Sequence, residues 1–551
     1  MRIGAVSAIA LLLIARLAQP QGTSPRVAPV EVVIGSDEEN YLRYLQAKGL
    51  VAEYPWSLRG FALPEMRRLS ASPDSQPWSG RMTVLANNAV ALKLLPLQAA
   101  VRVNTGFPYG SNDGPIWAGR GFTGSVDGGV AFSLGPLSAV LHPIAFVAQN
   151  SSFALMANGQ SGNQAYANGQ FPEFVDLPQR FGASSYSRLD LGESTIRVDL
   201  FDVGAGVSTA NIGWGPMEQY ELILGGNGPG FPHAFVGTTH PVNVGIGHIH
   251  SQVFWGSLDQ SKFSPVVGAE KYTSWLEPGT KRFATGLAAL FQPRGIPGLE
   301  VGATRFFHLV WPRSGLPHSY FTAPFGSVFK RAVPVSIGFP DPQSGNANQL
   351  ASLFGRWVFN KSGFEIYGEY GHEDHNYDLR DLVQEPDHSR MYALGLRKTV
   401  RADSTRVSGL RMEIVNYQLP TLGRNRSEGS IYIHGLIRQG HTVRGQPLGA
   451  DVGAGTGAGS FIAWDTFTRG GKSTISLTRT VRQEDGTFFI NGVDNPNLSD
   501  VLYGLGFEQT RFFSRVDVRS GGTIVRELNR DFTGDVWNLN LLFAVSYRGS
   551  R

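Results

Sequence analysis

Histidines and carboxylates are the residues most able to bind a metal or act in catalysis here, because the 551-residue sequence has no cysteine. His372 and His375 have a spacing that puts two ligands on one face of a helix, but the surrounding sequence is typical of a strand end and loop. His248 and His250 share one strand face, with no third ligand nearby. We therefore expect ordinary polar roles for both pairs, no metal site and no cofactor.

An acidic stretch spans residues 369–387 and contains Arg380. Several carboxylates can hold Ca²⁺, but the stretch lacks EF-hand spacing, so pairing with arginines of the protein's own wall is favoured. Its seven carboxylates are Glu369, Glu373, Asp374, Asp378, Asp381, Glu385 and Asp387.

Motifs that would indicate catalysis are missing from the sequence. The glycine-rich residues 453–459 lack the GxxxxGK[ST] pattern of a phosphate loop, so a hairpin loop or small-residue wall is favoured. There is no G-x-S-x-G motif or paired-carboxylate pattern. We expect a protein that is not an enzyme.

The composition excludes several classes of protein. Eleven per cent aromatic and 17% charged residues are the opposite of a disordered composition. The formal charge of +4 includes Arg2 and Arg16, and without them it is +2. A charge so near zero does not support a nucleic-acid partner.

The first 18 residues are predicted to be a cleaved signal peptide. They contain Arg2, an apolar run over residues 3–14 and small residues after it. The run is shorter than the roughly 20 residues of a membrane-spanning helix, and no later segment reaches eighteen apolar residues. We expect the protein to be exported.

Residues 36–95 are predicted to be a small helical region. Ser36 and the following acids predict a helix start, and Gly49 predicts its end. Further helices are predicted over residues 63–69 and 79–95, from Pro64 and from apolar residues at helical spacing.

From about residue 97 the apolar residues alternate with period two. Val101 and Val103 alternate with Arg102 and Asn104, and similar segments recur up to Tyr547. The second face carries Arg, Asn, Ser, Thr and Gly, whereas a secreted soluble β protein, the alternative, usually carries Lys and Glu there. The pattern predicts an all-β transmembrane protein, an antiparallel outer-membrane β-barrel of about 16–18 strands over residues 97–548. Aromatic girdles at the bilayer interfaces are the default explanation for each tryptophan.

Several sequence blocks resemble the Wzi-type capsule assembly proteins of Gram-negative outer membranes. The blocks are residues 174–182 (FVDLPQRFG), 212–216 (IGWGP), 222–232 (LILGGNGPGFP), 368–371 (GEYG), 378–382 (DLRDL) and 388–395 (HSRMYALG). The resemblance implies an 18-stranded barrel, closed on the periplasmic side by a helical bundle and largely blocked inside. It also implies a non-enzymatic surface lectin that helps to hold capsular polysaccharide on the cell.

On this resemblance the expected partners are capsular or extracellular polysaccharide, outer-membrane lipid and lipopolysaccharide, and the barrel-insertion machinery. The long polar segments 149–172 and 371–389 are the best candidates for outer loops. Their candidate polysaccharide contacts are Asn158, Asn163, Tyr166, Asn168, Glu373, Asp374, Asn376 and Tyr377.

The alternative function is a porin-like diffusion channel for small solutes. In a channel of this kind, charged residues that point into the lumen set the selectivity. The sequence offers Arg102, Arg197, Arg411 and Glu413 for that role.

Overall fold

A computed structural model of the chain describes most of the sequence after residue 31. The described residues are 32–62, 65, 69, 76–78, 90–267, 281–312, 315–326, 347–373, 378–418, 430–435, 437–484, 489–490, 493–494 and 499–548. The predicted signal peptide, residues 1–18, lies outside them, as does most of the predicted helix over residues 63–69.

Antiparallel strands form one closed barrel, which confirms the predicted fold class. The described part of the chain contributes eighteen wall strands, five of which have a short interruption. They are β1 (Val90–Leu94 and Leu97–Asn104), β2 (Gly121–Asp127 and Val130–Leu134), β3 (Leu137–Leu141 and Ile144–Ala148), β4 (Tyr186–Asp190 and Thr195–Leu200), β5 (Val203–Ser208), β6 (His233–Thr238 and Val242–Asn243), β7 (Gly247–Leu258), β8 (Arg282–Pro293), β9 (Leu299–Val310), β10 (Ala347–Phe359), β11 (Phe364–Glu373), β12 (Arg390–Ala402), β13 (Arg406–Asn416), β14 (Ala458–Thr468), β15 (Gly471–Glu484), β16 (Ser499–Phe512), β17 (Val516–Arg530) and β18 (Gly534–Tyr547).

The barrel closes where β18 pairs with β1, in a register that places Asn540 opposite Asn104. Short turns such as residues 135–136, 201–202 and 469–470 connect strands at the end where β1 begins and β18 ends. Longer connections join the strands at the other end, apart from the short turn of residues 531–533. Because outer-membrane barrels have short periplasmic turns and long outer loops, we call these the periplasmic end and the outer end.

The outer surface of the wall is apolar, as the alternation predicts. Ile196, Val198 and Leu200 point outward and are exposed, whereas Arg197 and Asp199 point inward and pair with each other. Trp357, Trp464 and Trp537 also lie on the outward face, as the girdle prediction requires. The prediction is wrong for Trp56, Trp78 and Trp214, which are fully buried.

The predicted first helix is confirmed as α1 (Asp37–Ala47). The Ser36 hydroxyl accepts a hydrogen bond from the Glu39 backbone N–H, 3.2 Å away, and three acids occupy the first turn. The Thr399 hydroxyl, on the inner face of β12, donates to the carbonyl of Tyr44. The helix therefore lies inside the periplasmic end of the barrel.

The predicted helix over residues 79–95 is wrong at its C-terminal end, because Val90–Leu94 is a wall strand paired with β2. The remainder, residues 79–89, lies outside the described residues. Two further short helices are α2 (His318–Thr322) and α3 (Leu379–Gln384), and two 3₁₀ turns are Gly162–Tyr166 and Ala323–Phe325. Among the described residues no helix is long and apolar enough to cross a membrane.

Candidate functional site

Two connections at the outer end fold back into the lumen. We call residues 209–232, between β5 and β6, the inner plug, and residues 430–435 with 437–457, between β13 and β14, the outer cap. A two-residue strand of the inner plug, Gly213–Trp214, pairs with Leu58–Arg59 of the N-terminal region. The buried core of the protein consists largely of these segments packed against inward residues of the wall.

Glycines of the wall make room for the aromatic residues of the inner plug. A Cβ added at Gly286 of β8 would lie 2.7 Å from the ring of Trp214. At Gly459 of β14, a Cβ would lie 2.7 Å from the ring of Tyr220. Such distances are shorter than van der Waals contact, so the plug packs directly against the wall.

One carboxylate of the wall holds the turn at the centre of the inner plug. Glu413 of β13 accepts hydrogen bonds from the backbone N–H groups of Glu218, Gln219 and Tyr220, at 2.9, 2.8 and 3.1 Å. The Tyr367 hydroxyl donates to the same carboxylate at 2.9 Å. The carboxylate thus satisfies three plug donors that would otherwise be buried without an acceptor.

A buried ionic network joins α1, the inner plug and the wall. Arg43 of α1 donates to Glu218 of the plug at 3.0 Å and to Glu365 of β11 at 2.6 Å. Arg397 of β12 donates to the other oxygen of Glu218 at 2.6 Å. Burial alone would raise the pKa of Glu218, but Arg397 and Arg43 outweigh it and hold the pKa at about 2. Glu218 is therefore ionised at neutral pH.

A chain of hydrogen bonds fastens the outer cap to the wall and to the inner plug. Arg282 of β8 lies 3.3 Å from Nδ1 of His308, so that nitrogen is the acceptor. Nε2–H of His308 then donates to Nδ1 of His441 at 2.8 Å, and Nε2–H of His441 donates to the Ile223 carbonyl at 2.6 Å. Both imidazoles must be neutral to make these bonds.

This arrangement predicts that acid loosens the outer cap. Burial lowers the pKa of His441 to about 3, whereas the unfolded value is about 6.5. Between these values the unfolded chain binds more protons, so the free energy of unfolding should fall as the pH falls from 6.5 to 3. In His441→Gln the amide can make both hydrogen bonds without titrating, and urea unfolding should show less loss of stability between pH 7.5 and 4.5.

The control for this experiment is His318→Gln, in the exposed first turn of α2. It should keep the acid sensitivity of the wild type. Equal acid sensitivity of the His441→Gln variant and the wild type would contradict the prediction.

A cleft of about 180 Å³ lies at the outer end, between the outer cap, the inner plug and two outer loops. It is smaller than the roughly 300–1,000 Å³ of pockets that enclose drug-sized ligands, so it suits part of a larger molecule. Its lining combines aromatic, amide and charged side chains, among them Tyr109, Trp117, Asn168, Gln179, Asn227, Gln446, Asp451, Arg482 and Arg530. We call it the outer cleft.

Some side chains of the outer cleft hold the surrounding loops in place. Asn227 donates to the Gly449 carbonyl at 2.9 Å, and Gln446 donates to the Gly114 carbonyl at 3.0 Å. Arg530 bonds Glu527 at 2.6 Å and lies over the ring of Phe107. These contacts fix the positions of the loops around the cleft.

Other groups of the outer cleft are available to a ligand. The Tyr109 hydroxyl, the Trp117 indole N–H and the exposed Asp451 carboxylate make no hydrogen bond to the residues that the structure describes. Burial raises the pKa of Tyr109 to about 12, with Asp113 adding to the effect, so its hydroxyl stays protonated. The Trp117 ring is held edge-on to Phe181 and Tyr186, with centroid distances of 5.0 and 6.1 Å. The cleft therefore presents one oriented aromatic ring with donors and an acceptor around it.

A larger cavity of about 460 Å³ lies in the lumen beside the start of α1. Arg102 lies 2.8 Å from Asp113, and Lys472 lies 2.6 Å from Asp37. Arg519 pairs with Glu508 at 2.7 Å. The cations named here are therefore neutralised by neighbouring carboxylates.

Of the four candidate polysaccharide contacts predicted in segment 149–172, Asn168 lines the outer cleft and the other three do not. The Asn168 side chain also bonds the backbone of Gln170 and Phe171. Asn158 likewise bonds its own loop, at the Gln164 carbonyl and the Gln160 N–H. Asn163 is exposed, and Tyr166 is half-buried with its ring against Phe263.

The second predicted segment needs a correction. Glu373 is not a loop residue: it ends β11, is buried and accepts hydrogen bonds from the Asn348 amide and the Tyr432 N–H. Its strand position turns the side chain inward, where it anchors the outer cap. Asp374, Asn376 and Tyr377 lie outside the described residues. No group of three metal-ligating side chains occurs in the part of the chain that the structure describes.

Sequence reasoning missed Tyr109, Trp117, Asp451 and Arg482 as members of one site. They lie in two loops and at a strand end, up to 373 positions apart, and no spacing rule connects such residues. One signal for this site was available in the sequence. Trp117 lies in a segment rich in Gly and Pro, which is not typical of a strand, so a girdle of wall tryptophans does not explain it.

Three solved structures are similar to this chain to different degrees. The solved structure of Wzi, described as an outer membrane protein involved in group 1 capsule assembly in Escherichia coli and as a carbohydrate-binding β-barrel, aligns with a TM-score of 0.60 and 13% identity, over 94% of this chain and 99% of that one. Pseudomonas aeruginosa OccD3 aligns with a TM-score of 0.38 and 9% identity, over 84% of this chain and 92% of that one. Acinetobacter baumannii OccAB4 aligns with a TM-score of 0.36 and 9% identity, over 82% and 97%.

No family model matches the sequence, and no curated protein matches it. The likeness to Wzi covers nearly the whole of both chains, but at 13% identity it shows a shared fold and nothing more. The chain therefore has the fold of an outer-membrane β-barrel, with its lumen occupied by α1, the inner plug and the outer cap.

Proposed function

We propose that this protein is a non-enzymatic outer-membrane protein of the Wzi type. In this proposal it is exported through a cleaved signal peptide, binds capsular or extracellular polysaccharide at the outer cleft and assists capsule assembly or attachment. The observation that carries the proposal is the outer cleft itself, where an oriented Trp117 lies near the Tyr109 hydroxyl and the Asp451 carboxylate. The likeness in fold to Wzi, a carbohydrate-binding barrel, adds support.

The chemistry of the cleft suits a sugar polymer. The C–H face of a sugar ring packs on an aromatic side chain, while the hydroxyls bond to Tyr109 and Asp451. Arg482 lies 3.4 Å from Glu527 and is 38% exposed, so it can also meet an acidic sugar. A long repeating polymer can occupy such clefts on many barrels at once, and the weak contacts then add up to firm retention.

The porin alternative receives less support. Arg102 pairs with Asp113 at 2.8 Å, and Arg411 pairs with Asp465 at 2.8 Å. Arg197 pairs with Asp199, and Glu413 binds the inner plug. Charges that are neutralised in this way, around a lumen that holds α1, the inner plug and the outer cap, favour a low conductance. A steady open conductance of the wild type in planar bilayers would support the porin instead.

Trp117→Ala should weaken polysaccharide binding by about tenfold or more, because truncating an aromatic anchor costs roughly 2 kcal/mol. The measurement is binding of purified protein to immobilised polysaccharide from the surface of its own host. Trp464→Ala, which removes an outward tryptophan of the wall, is the matched control and should bind as the wild type does. If the Trp117→Ala variant binds the polysaccharide as tightly as the wild type does, the outer cleft is not the polysaccharide site.

Deletion of the gene in its host tests the cellular role. We expect cell-bound polysaccharide to fall and released polysaccharide to rise, with restoration by the wild type but not by the Trp117→Ala variant. Unchanged partitioning after deletion would refute the role in capsule attachment.

A further inference from the structure

A row of alternating cations and aromatic rings crosses the outward face of four neighbouring strands near the outer end. The register places Arg479 of β15 opposite Tyr503 of β16, Tyr503 opposite Arg526 of β17, and Arg526 opposite Trp537 of β18. We call these four residues the cation–aromatic row. Tyr503 is 44% exposed and Trp537 is 61% exposed, so the row faces away from the lumen.

At its β18 end the row lies at the outer boundary of the apolar belt. Along β18, Trp537 and Tyr547 are ten residues apart and both are exposed. Ten residues of strand span about 33 Å, and a tilt of about 40° reduces this to a height of about 25 Å. That height is the thickness of the apolar band of an outer-membrane barrel, so Trp537 and Tyr547 lie at its two edges.

The next row towards the periplasm is entirely aliphatic. Its members are paired in the same register and all are exposed: Leu477, Leu505, Ile524 and Leu539. A molecule bound here therefore meets positive charge at the level of the headgroups and hydrocarbon directly below it. This combination fits an amphiphile better than a free anion.

The two guanidinium groups are held in place by the row itself. Arg479 donates to the Tyr503 hydroxyl at 3.3 Å, and Arg526 lies 4.7 Å from the centre of the Trp537 ring. Arg526 also pairs with Asp535 at 2.7 Å, whereas Arg479 has no carboxylate partner among the described residues. Being two strands apart, the two arginines are separated by about 10 Å.

We propose that the cation–aromatic row binds the phosphorylated headgroup of an outer-leaflet lipid. Arginine forms paired hydrogen bonds with phosphate oxygens, and tyrosine and tryptophan prefer the polar edge of a bilayer. The acyl chains of the same lipid pack on the aliphatic row below. The site is on the lipid side of the wall and is independent of the outer cleft.

The test compares purified, folded full-length variants in detergent, with lipid A carrying its phosphates as the probe. The double variant Arg479→Ala/Arg526→Ala should retain this lipid at least about tenfold more weakly than the wild type. Arg511→Ala is the matched control, because Arg511 is also an exposed arginine of the wall but lies at the periplasmic end of β16. It should bind like the wild type.

Two further measurements in the same experiment identify the ligand. Lipid A without phosphates should bind the wild type and the double alanine variant equally weakly, and millimolar inorganic phosphate should not displace the intact lipid. If the alanine variant does not fold, Arg479→Lys/Arg526→Lys keeps the charge but loses the paired geometry, and its affinity should still fall. Wild-type affinity in these double variants, or displacement by inorganic phosphate, would overturn the proposal.

Discussion

Replacing Arg43 with methionine is expected to lower the free energy of unfolding by about 3–5 kcal/mol, the usual cost of removing one partner from a buried ion pair. Arg43 is fully buried between Glu218 and Glu365. Its loss leaves two buried carboxylates with fewer cations, and α1 loses its strongest link to the inner plug. The measurement is urea unfolding in lipid vesicles, followed by tryptophan fluorescence and by gel mobility without boiling.

The same substitution should raise the ionic conductance, because α1 occupies the periplasmic end of the lumen. Arg401→Met is the control: Arg401 also pairs with a carboxylate, that of Asp403, but this pair is exposed and should contribute nothing measurable. An unfolding midpoint equal to that of the wild type for Arg43→Met would show that the network does not hold the helix.

Glu413→Ala should release the inner plug. Three plug N–H groups and the Tyr367 hydroxyl lose their acceptor, and each buried donor left without one costs about 1–3 kcal/mol. We expect a loss of at least about 3 kcal/mol in the free energy of unfolding, together with conductance steps in planar bilayers that the wild type does not show.

Two variants sharpen that experiment. Glu413→Gln keeps one carbonyl acceptor and should have an intermediate effect. Glu508→Ala removes another carboxylate from the inner face of the wall, one that pairs with Arg519 and is not bonded to the plug. It should leave the conductance unchanged. Conductance steps of equal size in Glu508→Ala would mean that general loss of lumen charge, and not plug release, is responsible.

The wall was predictable because lipid imposes a local pattern on the sequence. Each outward residue meets hydrocarbon whatever its distant neighbours are, so Leu410 and Ile414 alternate with Arg411 and Glu413 as expected. The same reasoning failed at Val90–Leu94, where apolar residues before Pro96 also fit helical spacing. Pairing with β2 makes this segment a strand, and such pairing cannot be recognised from a short stretch of sequence.

The interior was not predictable in this way. The inner plug has no regular period, and its conformation depends on wall residues that are distant in sequence, such as Glu413 and Gly286. Glu373 illustrates the same limit: an acid beside a polar loop predicts exposure, but the strand continues to that position and turns its side chain inward. The resemblance to Wzi-type proteins anticipated a blocked lumen, whereas the residues that block it needed the structure.

The pairing of β1 with β18 has a consequence for the order of assembly. The seam cannot close until the last strand has been made, and the finished barrel holds α1 among strands more than 300 positions away, as the bond between Arg43 and Glu365 shows. We therefore expect the wall to curl around α1 and the plug as it forms, since threading them into a finished cylinder would mean passing buried charges through it. Slow, concerted closure is the expected folding behaviour of a chain with such long-range contacts.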